Sequence, residues 1–180
     1  MNHLLKKLSF VLLAVLITGG GIFILSRKPK TIEGIEILSD QGRNHVPIGT
    51  AVEYNSNPPT SGPHYAEWEK PGIYNKALED GKLIHSLEHG YVIISYNCDK
   101  TDSVSEWKDN SGCQKLVEQI KQVTKKTGMD RLIVVPRPNL DTPIALTAWT
   151  KLLKLEDVNE DKIVNFVKEF RNQGPEKTME

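Results

Sequence analysis

Four of the five histidines in this 180-residue chain, His45, His64, His85 and His89, fall within one stretch of the sequence, and imidazole is the commonest protein ligand for transition metals. The densest group is Leu83-Ile84-His85-Ser86-Leu87-Glu88-His89-Gly90. On a helix, His85 and His89 stand four residues apart on one face with Glu88 beside them, and Gly90 is a natural stop. Two imidazoles so placed form a clamp for zinc or copper, to which His64 is the first candidate third ligand and His45 the next. On a strand, His85, Leu87 and His89 would share a face and Glu88 would point away. The histidines would then be hydrogen-bonded structural neighbours, and the residue pattern leaves both readings open. The order His-x-x-Glu-His is also that of inverted zinc peptidases, but those sites need a long helix. Here Gly90 and the β-branched run after it leave room for about two turns. Ser61 and His64 resemble a nucleophile and base, yet no Gly-x-Ser-x-Gly elbow exists and Pro63 removes a backbone donor. The chain therefore reads as a binding protein before an enzyme, with zinc-dependent hydrolysis a minor alternative.

The elements that must position these groups are of two kinds. Asn55 to Tyr65 is rich in Asn, Pro, Ser, Thr and Gly, and Pro58, Pro59 and Pro63 forbid a helix or a central strand. Each proline fixes φ and restricts its predecessor, so His64 sits on a stiff, irregular loop. Tyr54, Tyr65, Trp68, Tyr74 and Tyr91 surround the histidines in sequence, either as packing or as a ligand wall. The competing function class follows from the second option: a cell-envelope interaction module whose Tyr/Trp/Pro surface binds a protein or glycan partner, with structural histidines. Arg137, between Pro136 and Pro138, reads as pinning a turn.

The rest of the chain has clearer periodicity. Ile35–Leu38 and Thr50–Tyr54 read as short strands and Tyr91–Tyr96 as a buried one. Cys113–Thr127 is helical, with Leu116, Val117, Ile120 and Val123 on one face and Gly128 as its stop. Arg131–Val135 is a further strand and Ile144–Leu155 another, with Trp149 on it. Asp157 and Glu160 are candidate caps for a last helix carrying Ile163, Val167 and Phe170. The expected fold is α+β: one mixed-sheet domain with a β-α-β-β-α second half in thioredoxin-like order and a loop-rich first half. A redox Cys-x-x-Cys is absent, and topology assigns no activity.

Leu8 to Leu25 carries no charge and, at 1.5 Å per residue, reaches roughly 27 Å, the short end of what spans a bilayer core. The glycines Gly19–Gly21 are followed by more apolar sequence, Ile22 to Leu25, which favours an uncleaved transmembrane anchor over a signal peptide. The expected layout is a tail at 1–7, the anchor at 8–25, a linker at 26–30, the domain at 31–175 and a tail at 176–180. Five of the 23 basic residues precede Thr31 and none of the 23 acidic ones does, so the remainder has 18 basic against 23 acidic and a net charge of −5. An acidic domain without a Lys/Arg cluster is no nucleic-acid binder. Positive charge is nearly balanced on the two sides of the apolar run, so orientation rests on Cys98 and Cys113. A disulfide across the polar stretch Asp99–Gly112 would place the domain outside the cytoplasm.

Several of these segments together resemble a known family. His45-Val46-Pro47-Ile48-Gly49-Thr50, Asn57-Pro58-Pro59-Thr60-Ser61-Gly62-Pro63-His64-Tyr65, Gly72-Ile73-Tyr74, His85-Ser86-Leu87-Glu88-His89-Gly90 and Leu146-Thr147-Ala148-Trp149 closely resemble the domain-of-unknown-function 3105 family. The resemblance covers most of Ile35 to Phe170. It implies a bacterial, single-pass or exported protein in which the histidine segments matter, and it supplies no reaction and no ligand.

Overall fold

The computed structural model describes residues 32–101 and 111–176. The expected tail, anchor and linker of residues 1–30 lie outside the described residues, as do residues 177–180 of the expected C-terminal tail. Among the described residues no helix is long and apolar enough to cross a membrane. Within the compact unit Ile32–Glu180 the chain runs β1 (Ile35–Ile37), β2 (Gly72–Ile73), α1 (Asp80–Glu88), β3 (Val92–Tyr96), α2 (Ser111–Thr127), β4 (Leu132–Pro136), β5 (Ile144–Ala148), β6 (Lys151–Leu155) and α3 (Glu160–Phe170). The six strands form one mixed sheet in the order β1-β6-β5-β3-β4-β2, which makes the fold α+β as expected.

Val-Ile-Ile-Ser-Tyr of β3 is buried throughout because the strand is central and covered on both faces. It pairs parallel with β4 (Ile93 beside Ile133) and antiparallel with β5 (Ile94 beside Leu146). The alternation of a strand then divides its side chains. Val92, Ile94 and Tyr96 join Leu132, Val134 and Ile144 in packing against Leu116, Ile120 and Val123 of α2 and Ile163, Phe166 and Val167 of α3. Ile93, Ile133 and Val135 face the other way, onto Leu83 and Leu87 of α1. Each such aliphatic side chain stabilises the fold by about 1.5–3 kcal/mol when fully buried. The helix carrying the histidines is thus anchored to the sheet by its own leucines.

Three expectations are corrected. Thr50–Tyr54 is not a strand, because its polar groups find side chains instead of a neighbouring ladder: the Gln41 amide donates to the Glu53 carbonyl at 3.3 Å and accepts from Asn55 N–H at 2.9 Å. Ile144–Leu155 is two strands, reversed at Trp149–Thr150 with Thr150 at φ 59°. Tertiary bonds impose that reversal: Thr150 N–H donates to Thr60 O at 3.1 Å, and the Trp149 indole donates to Asp40 at 3.1 Å. The cap of α3 is Asn159, whose side chain accepts from Lys162 N–H at 3.0 Å, rather than Asp157 or Glu160. Cys98 and Cys113 form a disulfide with Cα atoms 4.8 Å apart, which ties the end of β3 to the first turn of α2.

Gly81 in α1 makes a prediction about the frame around the site. A Cβ at this position would lie 2.8 Å from the Tyr65 ring, which is itself buried. Gly81→Ala is expected to destabilise the protein by about 1–3 kcal/mol through overpacking, seen as a lowered Tm despite alanine's better helix propensity. An unchanged or raised Tm would contradict the packing described.

Candidate metal centre

The proline loop reaches the helix because it is buried and cross-braced. Pro58, Pro59, Thr60, Ser61 and Gly62 are all buried. Gly62 has φ +126° with the Tyr54 ring 3.1 Å from where a Cβ would stand, so only glycine fits that close approach. The Tyr54 hydroxyl donates to Pro63 O at 2.9 Å. Burial, with Asp80 and Tyr65 adding, pushes that phenol up to about 12 and keeps it a donor. Arg137 binds Asp80 of α1 through both carboxylate oxygens, at 2.6 and 3.0 Å, and donates from Nε to Asn57 Oδ1 at 2.6 Å. It therefore fastens the start of the proline loop to the start of the helix, a larger role than pinning a turn.

Two backbone bonds bring in the next histidine. Val46 N–H donates to His64 O at 2.8 Å and His64 N–H to Asn44 O at 3.0 Å, an isolated parallel bridge that pairs His45 with His64. His85 comes from the last part of α1, so the helical reading of this segment holds, with His89 as the C-cap one residue beyond Glu88. The rings of His45, His64 and His85 form a nearly equilateral triangle, with centroids 5.1, 5.0 and 5.0 Å apart. One ligand atom each from His45, His64, His85 and Glu88 lies within 4.8 Å of the other three. His64, His85 and Glu88 are buried and His45 is exposed, so the group opens to solvent on one side. Tetrahedral zinc needs ligand atoms about 3.3 Å apart, and of the four side chains the exposed His45 is the least confined.

Hydrogen bonds prepare the donors. His85 Nδ1 donates to Tyr65 O at 2.7 Å, which fixes the tautomer and leaves the Nε2 lone pair for a ligand. Burial lowers the pKa of His85, the Tyr65 bond opposes this, and the neighbouring His89, His64 and His45 lower it further. The neutral imidazole that a metal requires is thus favoured. His64 is bound at both nitrogens: Nδ1 lies 2.8 Å from Gly62 O and Nε2 lies 2.9 Å from Glu88 Oε2. A carbonyl can only accept, so Nδ1 carries hydrogen, and the contact of Nε2 with Glu88 must contain a further proton. Arg43 approaches the other Glu88 oxygen at 3.6 Å from a half-exposed position.

His89 adjoins this group. Its ring is 4.6 Å from that of His85, but its ligand atom groups with Glu88 and Glu176 rather than with His45 and His64. Trp68, 44% exposed, covers both helix histidines, stacking on His89 at 5.1 Å and tilting over His85 at 5.3 Å. The sequence order His-x-x-Glu-His is consequently split between two groups in space. Ser61 is committed to the frame, its Oγ accepting from Gln41 N–H at 3.1 Å. Gly81, Arg43 and Glu176 had no sequence signal, since each acts through a partner distant along the chain.

With Cys98 and Cys113 bridged, neither supplies a thiolate, and the assembled donors are three imidazole nitrogens and one carboxylate. Such a buried His/Glu group can hold a metal ion, and its donors suit Zn²⁺ or Cu²⁺ better than a soft cation. No curated protein and no solved structure matches the chain. A family model described as a protein of unknown function (DUF3105) matches residues 45–180, from the first of the four grouped side chains onward, and the chain belongs to that family.

Proposed function

We propose that this protein is a membrane-anchored, extracytoplasmic metal-binding protein, holding zinc or copper(II) through His45, His64, His85 and Glu88. The observation that carries the reading is the convergence of three imidazoles, from three separate segments, around one buried carboxylate. Structural histidines need no such convergence, because each can be satisfied by its own carbonyl. The anchor is the apolar run of residues 8–25, and the Cys98–Cys113 disulfide supports an oxidising compartment for the domain. The strand order β2-β4-β3-β5-β6, with β2, β4 and β3 parallel and β5 and β6 antiparallel, supports reading the sheet as thioredoxin-like. That likeness assigns no chemistry. The envelope-module reading has less support, since Pro58, Pro59, Tyr65 and Tyr91 are buried and do not form a recognition surface.

Metal analysis of the full chain, purified in detergent without a histidine tag, tests the proposal. At least one zinc or copper per chain is expected; a metal-free protein that also takes up neither ion on dialysis contradicts it. Binding of the ion in this group is further expected to release about one proton, the one held between His64 Nε2 and Glu88. Calorimetric titration in two buffers of different ionisation enthalpy measures that number. Equal apparent enthalpies in both would show that the His64–Glu88 contact stays intact on binding.

A further inference from the structure

We infer that Glu88 is shared between two cation sites, the second built from Glu88, His89 and Glu176, making this a carboxylate-bridged pair. The inference rests on the metal-binding reading above and goes beyond it in nuclearity. One ligand atom each of Glu88, His89 and Glu176 lies within 4.8 Å of the others, and Glu88 belongs to both groups. A carboxylate offers two oxygens, and here they face different ways. Oε2 lies against His64, whereas Oε1 faces the half-exposed Arg43.

The fold delivers the third ligand by a specific route. After α3 the chain returns across the end of α1: Asn172 N–H donates to Gly90 O at 2.8 Å and Glu176 N–H to Glu88 O at 3.1 Å. Gly90, at φ +79°, turns the backbone out of the helix toward this segment. Gly174 lies so close to the backbone of Glu88 and Gly90 that no Cβ fits there. The consequence is that Glu176, otherwise an exposed residue near the C-terminus, is held beside the metal group. His89 is held from the other side, its ring stacked on Trp68 and its carbonyl accepting from the Arg131 guanidinium.

Two ions bridged by one carboxylate sit about 3.5–4 Å apart, the separation at which a water or substrate oxygen can bind both. The second site has one shared and one exposed carboxylate, must displace Arg43, and feels the first cation. It is therefore the weaker of the two, by at least about tenfold. The ligand class is a hard or borderline divalent cation such as Zn²⁺.

Equilibrium dialysis of the full chain in detergent against zinc, followed by metal analysis, tests this. Two zinc ions per chain are expected at saturation. Glu176→Gln, which changes an exposed side chain and leaves the packing untouched, is expected to weaken the second ion at least tenfold, and His89→Ala/Glu176→Gln to leave one. Saturation of the unaltered protein at one zinc overturns the bridged pair while leaving the single-site proposal standing. Two ions still bound by His89→Ala/Glu176→Gln overturns it equally. Failure of the unaltered protein to bind any zinc or copper removes both.

Discussion

His85→Ala is expected to lower zinc affinity by well over the roughly 10–100-fold that loss of an outer-shell partner costs, because it removes a ligand itself. The loss should be visible as a sharp reduction of metal-dependent stabilisation. A ligand present at 100 times its Kd raises stability by about 2.7 kcal/mol, so with zinc enough to fill only the tighter site the unaltered chain should melt later and the variant should gain far less. His85 is 4% exposed and donates to Tyr65 O, so the substitution also leaves a buried carbonyl without its donor. That costs about 1–3 kcal/mol of metal-free stability, which leaves an ordinary domain folded. The two readings of the histidines separate here. Lower metal-free Tm together with a sharply reduced zinc response is the result for a ligand, whereas an undiminished zinc response in the folded variant would make His85 purely structural. Thermal melts of both proteins with and without zinc, followed by circular dichroism, measure all four values.

The second large effect falls on the metal-free protein. His64 is fully buried and sits 2.9 Å from Glu88, a carboxylate almost as deeply buried. His64→Ala removes that partner and leaves Glu88 with Arg43 at 3.6 Å, across a side chain half in solvent. Breaking one side of a buried ion pair costs about 3–5 kcal/mol, since the remaining charge stays desolvated. Neutralising that charge should return part of the loss, so His64→Ala/Glu88→Gln is expected to be more stable than His64→Ala alone. Urea denaturation of the metal-free chains gives the comparison. A double variant no more stable than His64→Ala would mean that Glu88 carries no desolvation penalty in this site.

Both predictions turn on contacts of very different visibility in the sequence. The helix holding His85 and Glu88 was legible only as one of two options, since i, i+3 and i+4 spacing before Gly90 over so short a run also fits a strand. β3, β4 and α2 were legible outright, because their apolar periods are long and their ends are marked by Pro136 and Gly128. The stiff loop under His64 followed from its prolines. What brings His45 to His64 is a two-bond parallel bridge between irregular segments, and a bridge of that size leaves no periodicity. The same holds for Arg137 with Asp80 and for Gly81 beneath Tyr65, where one residue makes sense only beside its distant partner. Trp149-Thr150 hid a hairpin because neither residue favours a turn; the bonds to Asp40 and Thr60 enforce it. Sequence spacing likewise joined His85 to His89, whose rings lie 4.6 Å apart, but gave no sign of Glu176, which a C-terminal segment that folds back brings to His89.

The most direct measurement is the position of the ion. Crystals of the full chain grown with zinc, with diffraction recorded on both sides of the zinc absorption edge, give an anomalous difference map that needs no assumption about ligands. A peak is expected between His45, His64, His85 and Glu88, about 2.0–2.2 Å from the bound nitrogens and oxygen. A map in which zinc at saturating concentration lies only on surface carboxylates, with His64 Nε2 still hydrogen-bonded to Glu88, would contradict it.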